Sequence, residues 1–238
     1  QKSDTSGNEY PSEGLVRFIS NLRKNNNKFE YFNDAGIENR IRSNFKGKAL
    51  EIGFGNGSFL DFSKTRGWNI YGVEEIPALI QRARKSGYIV FDDIDKIPHQ
   101  IKFDLVVALD VMEHIKSEEI IVFLEKIKGY LVEDGSLIIR VPNGSSPLGL
   151  ANQYGDFTHV SVITPNKMDY WASCSNLDID YQGGDIFPIY NGRLIKLPIR
   201  LIKRMFQIFI ERLLRWIFSP QSKGFLSANS LFLLKLRK

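Results

Sequence analysis

The chain reads Glu51-Ile52-Gly53-Phe54-Gly55-Asn56-Gly57 between a short apolar run at residues 49–52 and a helical pattern at residues 58–66. Glycine lets the backbone turn tightly and lets a ligand approach closely, and the start of a helix offers N–H groups that have no acceptor within the helix. The other interpretation is an ordinary turn between a strand and a helix. The order of strand, glycines and helix favours a ligand-binding loop.

Around this loop, short apolar runs alternate with helical patterns. Strands are predicted at residues 49–52, 69–73, 89–91, 105–109, 136–141, 177–181 and 230–236, and helices at 58–66, 77–86, 117–131 and 164–175. Ser117 is predicted as the N-cap of the helix at 117–131. Such alternation is typical of a parallel sheet with helices on both faces. Because the seventh strand follows the sixth without the usual crossover helix, we expect an antiparallel hairpin at the sheet edge. The predicted fold is α/β: a doubly wound, seven-stranded, mostly parallel sheet with an antiparallel last strand.

Length and composition predict one domain. The 238 residues, of which 43% are apolar, can bury a single good-sized core. We expect a lead-in at residues 1–46 with two helices, at about 13–23 and 37–45, and a domain at 47–238 that contains a basic amphipathic insertion at about 188–224. The lone Cys174 and the lack of a visible leader favour a cytoplasmic setting, although the start at Gln1 leaves a removed leader open. No stretch reaches the roughly 18 apolar residues of a membrane span, so we expect none.

The kind of ligand follows from the spacing of the loop. A dinucleotide-binding loop has glycine three residues after Gly55, and that position is Ser58. The pattern of Glu51, Gly53, Gly55 and Gly57 instead resembles motif I of the class I S-adenosylmethionine-dependent methyltransferases. The resemblance implies a Rossmann-like fold, S-adenosylmethionine as cofactor, and a role for Glu51 in holding its methionine amino group. Residues 103–115 and 131–143 resemble later segments of the same family, so the resemblance covers roughly residues 47–182.

Further cofactor contacts are predicted beyond the loop. Glu74 ends the second strand nineteen residues after Gly55, where such folds place a carboxylate for ribose hydroxyls; the alternative is a solvated charge. The resemblance implies that Asp93 accepts from the adenine amino group, with Asp92 as the near alternative and a structural loop role open for either. The remaining predicted cofactor residues are Phe54, Ile94, Leu109 and Asp110.

Candidates for the chemistry lie after the fourth and fifth strands. Methyl transfer needs alignment, and a base where the acceptor must lose a proton. His114 is one candidate base, and a structural histidine is the alternative. Asp156 and His159 could form an oriented general base, or could tie down a loop. No metal-ligand spacing is visible, so we predict no metal, although Asp156, His159 and a distant carboxylate could meet in space.

The segment Asp156-Phe157-Thr158-His159 resembles the Asp-x-Thr-His stretch of bacterial methyltransferases that act on sugars or surface glycans. It is similar, more loosely, to ubiquinone-biosynthesis O-methyltransferases. The first resemblance implies O-methylation of a sugar or glycan intermediate of bacterial envelope polysaccharide synthesis; the second implies a prenylated quinone precursor. From other classes, a nicotinamide-dependent oxidoreductase or a non-catalytic membrane adaptor stays open.

Charge is unevenly distributed along the chain. Residues 193–238 hold eleven Lys or Arg and one acidic residue, which leaves −5 for residues 1–192 because the whole chain carries +5. Residues 193–218 place polar positions at a helical rhythm among Leu, Ile, Met, Phe and Trp. This pattern predicts either a helix packed on the sheet or an interfacial helix that meets an anionic membrane. We expect a cytoplasmic protein that does not bind nucleic acid. On the second interpretation of this helix, the protein would also associate peripherally with the inner face of the membrane.

Overall fold

A computed structural model describes residues 47–184, 197–218 and 226–238 of the chain. The helices predicted at residues 13–23 and 37–45 lie outside the described residues, as do residues 193–196 of the predicted basic helix. The strands are β1 (Lys48–Ile52), β2 (Asn69–Val73), β3 (Ile89–Phe91), β4 (Phe103–Leu109), β5 (Leu131–Pro142), β6 (Leu177–Gly184) and β7 (Asn229–Leu236). The helices are α1 (Ser58–Thr65), α2 (Pro77–Lys85), α3 (Ile120–Tyr130), α4 (Leu150–Tyr154), α5 (Pro165–Cys174) and α6 (Leu197–Phe218), with 3₁₀ turns at Ile94–Lys96 and Met112–His114.

The seven strands form one sheet in the order β3-β2-β1-β4-β5-β7-β6. The pairs β1–β2, β1–β4, β2–β3 and β4–β5 are parallel, whereas β7 is antiparallel to both β5 and β6. This arrangement confirms the predicted fold. The reversal of strand order beside β1 makes the carboxyl ends of β1 and β4 the place where a doubly wound fold binds its ligand.

Two apolar layers cover the sheet, one on each face. Leu50 faces a core that includes Ile120 and Leu124 of α3 and Trp171 of α5. Its neighbour Ala49 faces the other core, which contains Phe59 of α1 and Ile80 of α2. Successive residues of a strand point to opposite faces of the sheet. A strand that is covered on both faces therefore does not alternate apolar and polar residues. This explains why the central parts of the parallel strands are largely apolar in sequence.

The start of α3 differs from the prediction. The helix begins at Ile120, after Glu119, rather than with Ser117 as its cap. The hydroxyl of Ser117 lies instead 3.1 Å from that of Ser161, so a tertiary contact uses the side chain that a cap would have used. The β5 strand is also longer than predicted, because Leu131 already pairs with Phe103 across an irregularity in the ladder.

The insertion between β6 and β7 begins and ends at the carboxyl edge of the sheet. Gly184 pairs with Ser230, and Pro142 at the end of β5 pairs with Asn229 at the start of β7. Within the insertion, α6 has Pro198 as its second residue, a position where the missing N–H costs no helical hydrogen bond. Among the described residues, none of the helices combines the length and hydropathy that a membrane-spanning segment requires.

Candidate active site

The glycine loop follows β1 in a conformation that requires glycine. Gly53, Gly55 and Gly57 have φ angles of 67°, 51° and 76°, in the left-handed region that side chains disfavour. A Cβ atom on Gly53 would lie 2.6 Å from Cγ2 of Val111. The N–H groups of Gly53 and Phe54 both donate to the carbonyl of Val73, at 2.9 and 3.2 Å. These two hydrogen bonds hold the loop against the end of β2.

Glu74 connects this loop to the residues after β2. Its Oε2 accepts from the Gly55 N–H at 2.7 Å, and its Oε1 accepts from the N–H groups of Glu75 and Ile76 at 3.0 and 3.2 Å. The side chain is buried. A carboxylate has about four acceptor positions, so these three bonds leave about one position, on Oε2, for a ligand hydroxyl. Glu74 is therefore a structural support of the glycine loop, and its predicted contact with ribose stays a prediction.

Glu51 and Phe54 lie on either side of the turn that leaves β1. The residue Glu51 is only 4% exposed. A carboxylate in such surroundings strongly stabilises a cation placed beside it, which fits the predicted role toward a methionine amino group. Phe54 is also buried, and its ring fills the space over Gly72, where a Cβ would lie 2.7 Å from Cδ1 of the ring. The Phe54 side chain therefore contributes to the core.

The residues after β3 form a capped turn. The Asp93 carboxylate accepts from the N–H of Asp95 at 2.9 Å, which caps the 3₁₀ turn that begins at Ile94. Asp92 forms an ion pair with Lys96 at 2.7 Å, and this hydrogen bond holds the pKa of the Asp92 carboxyl below its usual range. Both aspartates are exposed, so either carboxylate is accessible to a ligand. The choice of Asp93 over Asp92 as the partner of the adenine amino group stays a prediction.

The exit of β4 is fixed by an ion pair. Asp110 has a φ of 57°, and its carboxylate accepts from Nε of Arg140 at 2.9 Å and also from Nη2. The Asp110 N–H donates to the carbonyl of Arg140 at 2.8 Å, and Leu109 before it is buried. Asp110 thereby sets the direction in which the chain leaves the sheet toward Glu113 and His114.

The structure brings the two candidate histidines together. The rings of His114 and His159 have centroids 4.7 Å apart and meet edge to face. Nε2 of His159 lies 3.9 Å from Oε1 of Glu113, whose side chain is 1% exposed, while the His159 side chain is 8% exposed and His114 is exposed. The carboxylate that faces His159 therefore comes from Glu113, a residue for which the sequence had suggested no role.

Asp156 is engaged by Thr158. Its Oδ1 accepts from the N–H and the hydroxyl of Thr158 at 2.9 and 2.6 Å. The same hydroxyl lies 3.1 Å from Nδ1 of His114. Burial raises the pKa of the Asp156 carboxyl, but the hydrogen bonds from Thr158 and the nearby His159 and His114 together lower it below its usual value. The sequence predicts that Asp156 either orients His159 or ties down the loop. Its hydrogen bonds link it, through Thr158, to His114.

Backbone hydrogen bonds join the two loops that carry these groups. The N–H groups of Val160 and Ser161 both donate to the carbonyl of Glu113, at 2.9 and 3.0 Å. The Ser161 hydroxyl donates to the carbonyl of Ile115 at 2.6 Å. Nδ1 of His159 lies 3.1 Å from the carbonyl of Gln153. Sequence reasoning missed Glu113, Thr158 and Gln153 because their roles depend on contacts between distant segments, for which a single sequence contains no signal.

Comparison with known proteins identifies the family. A family model described as "Methyltransferase domain" matches residues 14–182, which is more than half of the chain. The chain belongs to this methyltransferase family. The match extends N-terminally beyond the described residues, and it confirms the prediction of a methyltransferase. A search of curated proteins gave no match.

Solved structures share the fold of this methyltransferase. A SAM-dependent methyltransferase from Archaeoglobus fulgidus aligns with a TM-score of 0.58 at 19% identity, over 92% of this chain and 94% of its own. One from Clostridium acetobutylicum aligns with a TM-score of 0.62 at 12% identity, over 95% and 100%. The plantazolicin methyltransferase BpumL, in complex with SAH, gives 0.63 at 17% identity, over 95% and 91%. These neighbours agree with the predicted cofactor, S-adenosylmethionine.

Proposed function

We propose that this methyltransferase uses S-adenosylmethionine to methylate a hydroxyl of a sugar or glycan intermediate in bacterial envelope polysaccharide synthesis. The observation that carries the proposal is the position of His114 and His159 at the same sheet edge as the glycine loop and Glu74. Doubly wound sheets bind their ligands at this edge. A hydroxyl acceptor must lose its proton, and a histidine cluster with a buried carboxylate is chemically suited to that task.

The cofactor would be held by groups on three neighbouring strands. Glu51 at the end of β1 would face the methionine amino group, Glu74 at the end of β2 the ribose hydroxyls, and Asp93 after β3 the adenine amino group. When bound, the cofactor supplies a methyl group on a positively charged sulfur. The chain's own contribution is alignment, which by itself can account for a large part of such a rate enhancement.

The acceptor is proposed from the Asp156-x-Thr158-His159 pattern. The N–H groups of Val160 and Ser161 hold this loop against the carbonyl of Glu113, and the hydrogen bonds from Thr158 to Asp156 fix its shape. These contacts support a role in the acceptor site rather than in a free surface loop. Fold alone does not set the acceptor, since BpumL, with the same fold, was crystallised with desmethylPZN analogues.

A methyl-transfer assay tests the acceptor. Radiolabelled S-adenosylmethionine would be supplied with nucleotide-sugars, lipid-linked glycans and prenylated quinone precursors in parallel. We expect label in a sugar hydroxyl. Label only in a quinone precursor would replace the sugar proposal with the quinone alternative. Binding of S-adenosylhomocysteine, but not NAD, in a thermal-shift measurement would separate the methyltransferase from an oxidoreductase.

We further propose that the enzyme works as a peripheral protein on the inner face of the membrane. On α6 the apolar side chains Ile202, Phe206, Phe209 and Trp216 recur at helical spacing and are between 60% and 78% exposed. Such a stripe on a helix of cationic sequence matches an anionic lipid surface, where each Lys or Arg contributes on the order of 1 kcal/mol. The insertion that contains α6 leaves and re-enters the sheet at the edge of the candidate site, which suits a lipid-linked acceptor.

Vesicle co-sedimentation tests this association. We expect binding to phosphatidylglycerol-containing vesicles that weakens as salt is raised, since the Debye length is then shorter. Changing Ile202, Phe206 and Phe209 to Ser should reduce binding, whereas Val122→Ser, at an apolar side chain of α3 that is 58% exposed, should not. A variant in which four cationic residues are changed to Gln should also bind the vesicles less; these are Arg200, Lys203, Arg204 and Arg212. A wild-type protein that ignores anionic vesicles at low salt would exclude the membrane proposal.

A further inference from the structure

Glu113, His114 and His159 each offer one potential ligand atom, and these atoms all lie within 4.8 Å of one another. Two imidazoles and one carboxylate are the donor set of several catalytic zinc sites, where three protein ligands leave a position open for water or substrate. We infer that this cluster binds one divalent transition metal ion, with Zn²⁺ as the best match to its donors. The inference deepens the proposed function, on which it rests, and assigns the metal to the acceptor side of the site.

Hydrogen bonds set the tautomer of both histidines. Nδ1 of His159 lies 3.1 Å from the carbonyl of Gln153, and Nδ1 of His114 lies 3.2 Å from the carbonyl of Thr158. A carbonyl oxygen only accepts, so Nδ1 is the protonated nitrogen of each neutral ring and Nε2 carries the lone pair. Histidines that ligate metals almost always donate their other N–H to a carbonyl or carboxylate in this way. Both rings are thus prepared to bind a cation through Nε2.

The distance between His159 and Glu113 fits a bridging cation better than a direct hydrogen bond. Nε2 of His159 is 3.9 Å from Oε1 of Glu113, beyond hydrogen-bond range. Two ligands at about 2.0–2.1 Å from a tetrahedral zinc ion lie roughly 3.3 Å apart. The pair therefore needs to close by only a fraction of an ångström.

Burial leaves the cluster open on one side. Glu113 is fully buried and the His159 side chain is 8% exposed, whereas His114 is exposed. The surroundings of Glu113 have a low dielectric constant, which strengthens its attraction for a cation. The exposed His114 side gives a metal ion a way in and leaves room for an acceptor oxygen. The carbonyl of Glu113 also accepts from Val160 and Ser161, so the loop after His159 is fixed against the carboxylate.

Because His114 and His159 would bind the ion through Nε2, the metal rather than a free imidazole would promote loss of the acceptor proton. It would act as a Lewis acid on the acceptor. A hydroxyl bound to the ion loses its proton to solvent water more readily than a free hydroxyl does. The oxygen then forms the new O–C bond to the methyl group while the C–S bond breaks, and that electron pair remains on sulfur as the neutral thioether. No oxidant or reductant is needed.

Metal binding by the purified full-length chain tests the inference directly. After treatment with a chelator and dialysis, the protein would be titrated with Zn²⁺ by calorimetry and with Co²⁺ by visible absorption, whose bands report coordination. We expect one equivalent of metal to bind. His114→Gln and His159→Gln should each weaken binding by at least about tenfold. His99→Gln is the matched control, because His99 stacks on Tyr130 away from the cluster and should leave binding unchanged.

Two outcomes would overturn the inference: no Zn²⁺ binding by the wild type, or equal binding by wild type and His114→Gln. Since His114 is exposed, that variant should fold even if a Glu113→Gln protein does not. S-adenosylhomocysteine binding, measured separately by thermal shift, distinguishes the two proposals. If S-adenosylhomocysteine binds and Zn²⁺ does not, only the metal site is refuted; if Zn²⁺ binds and S-adenosylhomocysteine does not, the metal site stands and the proposed function fails.

Discussion

Glu74→Ala should both destabilise the protein and weaken its binding of S-adenosylhomocysteine. The Glu74 carboxylate accepts from three backbone N–H groups, of which only that of Gly55, at 2.7 Å, is in a buried hydrogen bond. Water can replace the carboxylate at the part-buried N–H groups of Glu75 and Ile76. At Gly55 it cannot, and a buried bond to a charged group contributes about 1.5–3 kcal/mol. We therefore expect a loss of about 2–3 kcal/mol in the free energy of unfolding.

Urea denaturation followed by circular dichroism measures this loss, which corresponds to a melting temperature lower by roughly 4–12 °C. Glu75→Ala is the matched control: it removes an exposed carboxylate one residue away, and its effect should stay within about 0.5 kcal/mol. Affinity for S-adenosylhomocysteine, measured by calorimetry on the folded protein, should fall at least about tenfold in Glu74→Ala only. If the two variants are equally stable, Glu74 does not support the glycine loop. If they bind S-adenosylhomocysteine with equal affinity, Glu74 is not part of the cofactor site.

Three further changes test other contacts. Gly53→Ala should cost more stability than Gly67→Ala, by about 1 kcal/mol or more, since both have positive φ but only Gly53 meets a neighbouring side chain within 4 Å; equal denaturation midpoints would contradict this. Thr158→Val should raise the pKa of Asp156, followed by carboxyl NMR titration. Because a lowered carboxyl pKa stabilises the fold above the unfolded value of about 3.9, the variant's stability deficit should be full near pH 7 and shrink as the pH falls below about 4; a deficit that is independent of pH would argue against it. His159→Gln should lower turnover about 100-fold with little change in affinity for S-adenosylhomocysteine, and unaltered turnover would return this side chain to a structural role.

The fold was predictable because its signals are local. Parallel strands covered on both faces are short apolar runs, and the predicted bounds of β2 and β3 agree with the structure. The glycines of the loop were also predictable, because a positive φ angle is a local property of the backbone that glycine adopts most readily. Where a tertiary contact competes with a local rule, the prediction fails, as at Ser117, whose hydroxyl contacts Ser161 instead of capping α3.

The candidate site was predictable in its location but not in its pairings. Asp156 and His159 lie three residues apart, and proximity in sequence suggested that one orients the other. The structure pairs Asp156 with Thr158, which in turn contacts His114 across 44 residues of sequence, and it places Glu113 opposite His159. Histidine and acidic side chains after strand ends indicate where the site lies, because the loops that follow the parallel strands all meet at the carboxyl edge of the sheet. The backbone hydrogen bonds between those loops decide which carboxylate lies beside which imidazole. At this site they place Glu113 beside the two histidines, so the cluster is His–His–Glu rather than the predicted Asp–His pair.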